Sequence, residues 1–197
     1  LEDLLAEEAA AWLGEPREEP FYLAYWAFEV HNPWQAKEEQ VDHFRAKAKP
    51  GAPQRHPVYA GMIQSLDLAV GRLVAALEES GQLDDTLIVF LSDNGGVSRS
   101  CGTPLMPAGF HGVPITSNAP LRSGKGSLYE GGVRVPLIVS WPGRIRPGST
   151  SAAIVTGLRI ARDTGERTDE TLPREVFNET GFHVGYGIFG GPCGCRV

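Results

Sequence analysis

Apolar residues at Leu1, Leu4, Leu5, Ala9 and Trp12 recur at helical spacing with acids between them, which predicts a short amphipathic helix. Gly14 and Pro16 supply its stop. After Pro20 the periodicity disappears. Phe21 to Phe28 is a continuous apolar and aromatic run, too short for a helix and suited to a strand buried on both faces, the kind a parallel sheet uses. His31, Pro33 and Trp34 then open a stretch rich in Pro, Lys and Gln that reads as loop to about Pro57.

The strongest pattern follows. Val58, Met62, Ile63, Leu66, Val70, Leu73, Val74 and Leu77 form one apolar stripe, with Pro57 in the first turn and Gly81 as the stop. Thr86 to Leu91 is a second buried strand. Strand, long helix, strand is the signature of a parallel α/β unit. Residues Asn94 to Glu130 are rich in Gly, Pro and Ser, and loops of that length in a domain are often functional. Val135 to Trp141 is a third buried strand, ended by the Pro142-Gly143 turn. Ala152 to Ile160 suggests one further short element. From Gly165 to Val197 there are many glycines and little periodicity.

Composition narrows the class. With 42% hydrophobic and 21% charged residues, the 197-residue chain has the balance of a soluble domain with a sizeable core. A net charge of -6 disfavours nucleic acid as a partner, because phosphates recruit basic patches. No apolar run reads as the roughly 18 residues of a membrane span. Leu1 to Trp12 lacks the basic start and apolar middle of a signal peptide. Cys193 and Cys195 have only Gly194 between them, which is not a zinc-type spacing, and with Cys101 they read as incidental thiols.

Four places carry candidate chemistry. Ser92-Asp93-Asn94-Gly95-Gly96 follows a buried strand at its carboxyl end, where open α/β sheets bind ligands. Asp93 and Asn94 offer hard oxygen donors suited to calcium or magnesium, although the same residues make an ordinary turn. In Arg122-Ser123-Gly124-Lys125-Gly126-Ser127, Lys125 between glycines presents an ammonium to an oxyanion, or is a solvated loop lysine. The segment is not a phosphate-binding P-loop: Gly126 follows the lysine, and Ala119 stands where the first glycine belongs. Arg134 pairs with Glu130 or anchors a loop. His31 lies just beyond a strand end, a position that suits function as well as structure.

The order of these blocks is more specific than any one of them. F-Y-L-A-Y-W with H-N-P-W comes first, then Y-A-G-M-I-Q-S-L-D-L-A-V-G and T-L-I-V-F-L-S-D-N-G-G. S-N-A-P-L-R-S-G-K-G-S-L-Y-E-G-G-V-R-V-P and W-P-G-R-I complete the series. It resembles the sulfatase family, within the alkaline-phosphatase-like superfamily, over about Pro20 to Ser149. The resemblance implies an α/β fold: part of an α/β/α sandwich with a mostly parallel central sheet, lacking its first strand or strands. It implies hydrolysis of sulfate esters of small molecules or glycans, with calcium and a formylglycine made from Cys or Ser in C/S-x-P-S/A-R. Carried over by motif, Asp93 and Asn94 look like calcium ligands. Lys125 looks like a sulfate-binding lysine and His31 like the histidine that protonates the leaving group. Family members are mostly exported or lysosomal.

The sequence also departs from the family pattern. No C/S-x-P-S/A-R run occurs in the 197 residues: Cys101-Gly102-Thr103-Pro104 has its proline one position late, Cys195-Arg196 has none, and Ser140-Trp141-Pro142-Gly143-Arg144 has Gly143 at the small-residue position. The early paired aspartates that complete the calcium site have no counterpart. The expected organisation is a leading helix and linker at 1–19, the later part of a sulfatase catalytic domain at 20–150, and an unassigned tail at 151–197. The expected chain is a sulfatase fragment inactive by itself. A non-catalytic protein binding anions or sulfated glycans is the alternative. A two-metal phosphatase of the same superfamily needs more Asp and His ligands than five histidines without a D-x-x-x-H-x-x-x-H cluster provide.

Overall fold

A computed structural model describes residues 1–98, 114–155 and the strand 186–190. The chain begins with helix α1 (Glu2–Gly14), then strand β1 (Phe21–Tyr25), helix α2 (Glu38–Lys47), helix α3 (Pro57–Glu79) and strand β2 (Thr86–Leu91). A single helical turn α4 (Glu130–Val133) precedes strand β3 (Leu137–Ser140), and β4 (Tyr186–Gly190) comes from the tail. The regions around Cys101, Cys193 and Cys195, and the element expected at Ala152 to Ile160 beyond Val155, lie outside the described residues.

Helix α3 forms where the stripe predicts. Pro57 fills the first turn, and His56 caps it: its Nδ1 accepts a hydrogen bond from the Tyr59 amide at 3.2 Å. Burial holds the His56 imidazole below its ordinary pKa. Leu73 and Leu77 are almost wholly buried, and Ile63, expected on the stripe, is exposed. At 23 residues, α3 is by length and composition long and apolar enough to cross a membrane, contrary to the sequence reading. Its buried face, however, supplies the core: Leu73 and Leu77 of the stripe, with Ala69, pack with Ala6 and Leu13 of α1 and Tyr25 of β1.

The buried side of α1 also differs from expectation. Glu2, Ala6 and Leu13 are inside, whereas Leu1 and Leu4 are exposed. Trp12 packs edge-on to Phe21 and carries the Arg17 guanidinium 3.7 Å from its ring centroid. The Gln82 side-chain amide donates to the Leu13 carbonyl at 2.8 Å and ties the end of α1 to the turn after α3. Helix α2 lies in the stretch read as loop. Its Val41 packs with Trp34, Val58, Met62 and Ile115 in a second core. Only Val41 and Phe44 are large apolar residues in Glu38–Lys47, too few for a stripe to stand out.

Strand order is β1-β4-β2-β3. The α/β class holds, but each adjacent pairing is antiparallel, in place of the mostly parallel sheet. For two of the three pairings the physical reason is β4, while β3 pairs antiparallel with β2 directly. Strand β4 inserts between β1 and β2 in the opposite direction, so that Gly190 faces both Phe21 and Thr86, and Tyr186 faces both Tyr25 and Phe90. Strands β1 and β2 therefore still run in the same direction. The core that includes α1 and α3 meets one sheet face, through Phe21, Leu23 and Tyr25 of β1 and Ile88 and Phe90 of β2. The described residues thus build one helical layer on this sheet rather than layers on both faces.

Candidate active site

Because β1 and β2 share a direction and a level, their carboxyl ends lie at the same end of the sheet. His31 follows β1, and Asp93-Asn94 follows β2. The turn after β2 is ordered by its own polar groups. The Ser92 hydroxyl donates to the Asn94 carbonyl at 2.9 Å, and the Asn94 side-chain amide donates to Asp93 Oδ1 at 2.8 Å. With Nδ2 engaged as a donor, Asn94 presents Oδ1 as its acceptor. Asp93 and Asn94 are both half-buried.

Backbone contacts then bring the lysine segment to this turn. The Gly95 amide donates to the Gly132 carbonyl at 2.9 Å, and the Lys125 amide donates to the Gly96 carbonyl at 3.1 Å. The approach is close enough to require glycine: a Cβ on Gly95 would stand 1.7 Å from the Gly131 carbonyl oxygen. Asn118 joins the two loops. Its Oδ1 accepts from the Gly96 amide at 3.0 Å, and its Nδ2 donates to the carbonyls of Gly96 at 2.9 Å and Ser123 at 3.0 Å.

Thus the structure gathers Asp93, Asn94 and the Lys125 backbone into one hydrogen-bonded unit. His31 stands apart from that unit, exposed beyond β1, with Nδ1 2.8 Å from the Asn32 carbonyl. A carbonyl oxygen only accepts, so Nδ1 is the donor in that contact. Glu130 and Arg134 make an exposed pair at 3.4 Å, in keeping with a structural role.

Two residues before His31 in sequence, the half-buried Glu29 neighbours the buried Glu2. The Tyr25 hydroxyl donates to Glu2 Oε1. Glu2 Oε2 and Glu29 Oε2 are buried without a hydrogen-bond partner. Burial, with the neighbouring Glu2 charge, pushes the Glu29 carboxyl up to about 7. Sequence reading passed over Asn118 and Glu29. A signal for Asn118 is its place two residues before Pro120 in a segment whose neighbours are small. Glu29 had a signal too, as a carboxylate ending an aromatic strand.

Calcium takes about six to eight oxygen ligands. Asp93 and Asn94 have the right donor chemistry for part of that shell. Among the described residues, no group of three or more His, Cys, Asp or Glu side chains could hold a metal. These residues therefore suit a share of a calcium site and not a whole one.

Comparison with known proteins places the chain. A family model described as "Sulfatase" matches residues 1–164. Mouse steryl-sulfatase is 37% identical over 150 residues, covering 75% of this chain and 21% of that protein. N-acetylgalactosamine-6-O-sulfatase of Bacteroides thetaiotaomicron is 30% identical over 188 residues, 92% of this chain and 33% of its own length. Among solved structures, Ps i-CgsB in complex with k-i-k-neocarrahexaose aligns with a TM-score of 0.59 at 38% identity, covering 75% of this chain and 29% of that one. The chain thus spans about a fifth to a third of the length of these relatives.

Proposed function

Since the chain belongs to the sulfatase family, we propose that it forms the later part of a sulfuric ester hydrolase and holds the anion-binding side of its active site. The observation that carries this reading is the locking of the Lys125 segment against the Asp93-Asn94 turn at the carboxyl end of β2. A lysine whose backbone is tied to a turn carrying hard oxygen donors suits an oxyanion held jointly by a metal and an ammonium. In this reading Asp93 and Asn94 contribute two ligands to a calcium ion, with the other ligands from outside the described residues. Calcium, when bound, supplies charge stabilisation to sulfate oxygens.

The roles of this chain's own residues follow from their chemistry. Lys125 offsets charge on a sulfate oxygen or on the leaving oxygen. His31, with Nδ1 engaged by the Asn32 carbonyl, takes up a proton at Nε2 and delivers it to a departing alkoxide. No run in these 197 residues matches the formylglycine motif. The 197 residues are accordingly expected to bind a sulfate ester without turning it over. A sulfated glycan is the preferred substrate class. Support comes from the N-acetylgalactosamine-6-O-sulfatase relative and from the oligosaccharide in the complex of Ps i-CgsB.

The lack of a C/S-x-P-S/A-R run in these 197 residues favours a second reading, a non-catalytic binder of anions or sulfated glycans. Two experiments separate them. Calorimetric titration of the chain with a sulfated oligosaccharide should show binding that Lys125→Ala removes; binding unchanged in that variant would sink both readings. Sequencing the surrounding gene should reveal an in-frame C/S-x-P-S/A-R and paired aspartates. A start codon immediately before Leu1 with no such motif would leave only the binder.

A further inference from the structure

Asn118 makes three hydrogen bonds with one side chain, two of them to Gly96 of the turn after β2 and one to Ser123 of its own loop. Its Oδ1 takes the Gly96 amide, and its Nδ2 reaches the carbonyls of Gly96 and Ser123, 22 and 5 residues away in sequence. Gly96 in turn accepts from the Lys125 amide, so both ends of the Ser123-Gly124-Lys125 segment are tied, directly or through Gly96, to the turn that carries Asp93 and Asn94. Ser123 has a φ of 68°, a left-handed conformation that a non-glycine residue holds only when its surroundings dictate it. The Asn118 bond to its carbonyl is one such constraint.

The packing leaves no room for substitution. A Cβ on Gly124 would stand 2.3 Å from the Gly96 carbonyl oxygen and 2.7 Å from Asn118 Nδ2. A primary amide suits the position because it accepts and donates at the same time. A carboxylate of the same size would meet two carbonyl oxygens with no proton to give.

We propose that Asn118 is the positioning residue of the anion site: it fixes the Lys125 backbone relative to Asp93 and Asn94, so that the ammonium is presented from a preorganised loop. The proposal rests on the sulfate-ester reading for its ligand but not for the clamp itself. Preorganisation of this kind matters because a lysine on a loose loop loses conformational freedom on binding, which weakens the complex.

The test uses the full 197-residue chain, isotopically labelled, with inorganic sulfate as the probe. Amide exchange is followed by NMR at Gly96 and Lys125, with Leu73 and Leu77 of the core as internal references. In Asn118→Ala, protection at Gly96 and Lys125 should fall about tenfold, the size of one typical net hydrogen bond, while the core amides stay unchanged. The sulfate-induced shift at Lys125 should need a higher sulfate concentration by a similar factor. Asn118→Asp, which keeps the acceptor and loses both donations, should reproduce the effect. Gly124→Ala attacks the same clamp from the other side and serves if Asn118→Ala fails to fold.

Unchanged Lys125 protection in a folded Asn118 or Gly124 variant overturns the proposal. So does an intact sulfate response there when Lys125→Ala abolishes it. If sulfate leaves Lys125 of the unaltered chain unshifted, the sulfate-ester reading fails, and the exchange data still decide whether the clamp exists.

Discussion

Replacing Glu29 by Gln should make the chain more stable above neutral pH. Glu29 sits between β1 and His31, with its Oε2 buried and unpartnered. Its carboxyl is raised from 4.5 to about 7, first by burial and then by the charge of Glu2; Asp3 adds to the effect and the amino terminus opposes it. The sign follows from proton binding. Between about 4.5 and 7 the folded chain holds a proton on Glu29 that the unfolded chain has lost, so the proton favours folding. That contribution is complete below the unfolded value and disappears as pH rises through the folded value.

At about 1.4 kcal/mol per pH unit, the span corresponds to about 3.5 kcal/mol as an upper bound. Partial solvent exposure and coupling to Glu2 reduce this to about 1–2 kcal/mol. Glu29→Gln preserves shape and removes the ionisation. At pH 8 its urea midpoint should exceed that of the parent chain by about 0.5–1 M, taking about 2 kcal/mol per molar for the slope. At pH 4.5 the two midpoints should coincide. Tryptophan fluorescence and circular dichroism measured on the same samples give the midpoints and test for a single transition. Midpoints of parent and variant that move in parallel from pH 4.5 to 8 would refute the reasoning.

Leu77→Ala removes a wholly buried side chain from the α1–α3 core and should lower stability by about 3 kcal/mol in the same urea assay. Gly95→Ala places a methyl group against the Gly131 carbonyl and should cost at least about 2 kcal/mol. It should also reduce exchange protection at the Lys125 amide; a neutral effect on both would show that the turn relaxes freely. Arg134→Ala breaks only an exposed pair with Glu130 and should change stability by less than about 0.5 kcal/mol, as read from thermal melts at low salt. Millimolar calcium should leave the thermal midpoint within about 1 °C, because the described residues contribute only part of a shell.

Much of the architecture was legible in the sequence because its signal is local. The α3 stripe, the run of Thr86 to Leu91 and the stops at Gly14 and Gly81 each carry their own periodicity or turn chemistry, and they form where that chemistry puts them. The order of motif blocks likewise identified the family, since it depends on residue identity and not on geometry. Other features depended on partners distant in sequence. The side of α1 that faces inward was set by α3 and Tyr25, which accept Ala6 and Leu13 and leave Leu1 and Leu4 in water. The antiparallel pairing of β1 and β2 with the strand between them was set by where β4 inserts, a matter on which a glycine-rich tail has no local signature. At the site, the sequence determined which groups are present: a carboxylate, an amide and an ammonium on turns after strands. Only the tertiary structure decided that Asn118, 22 residues beyond Gly96, holds two of those turns together and that His31 stands outside their hydrogen-bonded unit. Side-chain type is written residue by residue, whereas a hydrogen bond across 22 residues exists only once the fold has brought its donor and acceptor within 3 Å.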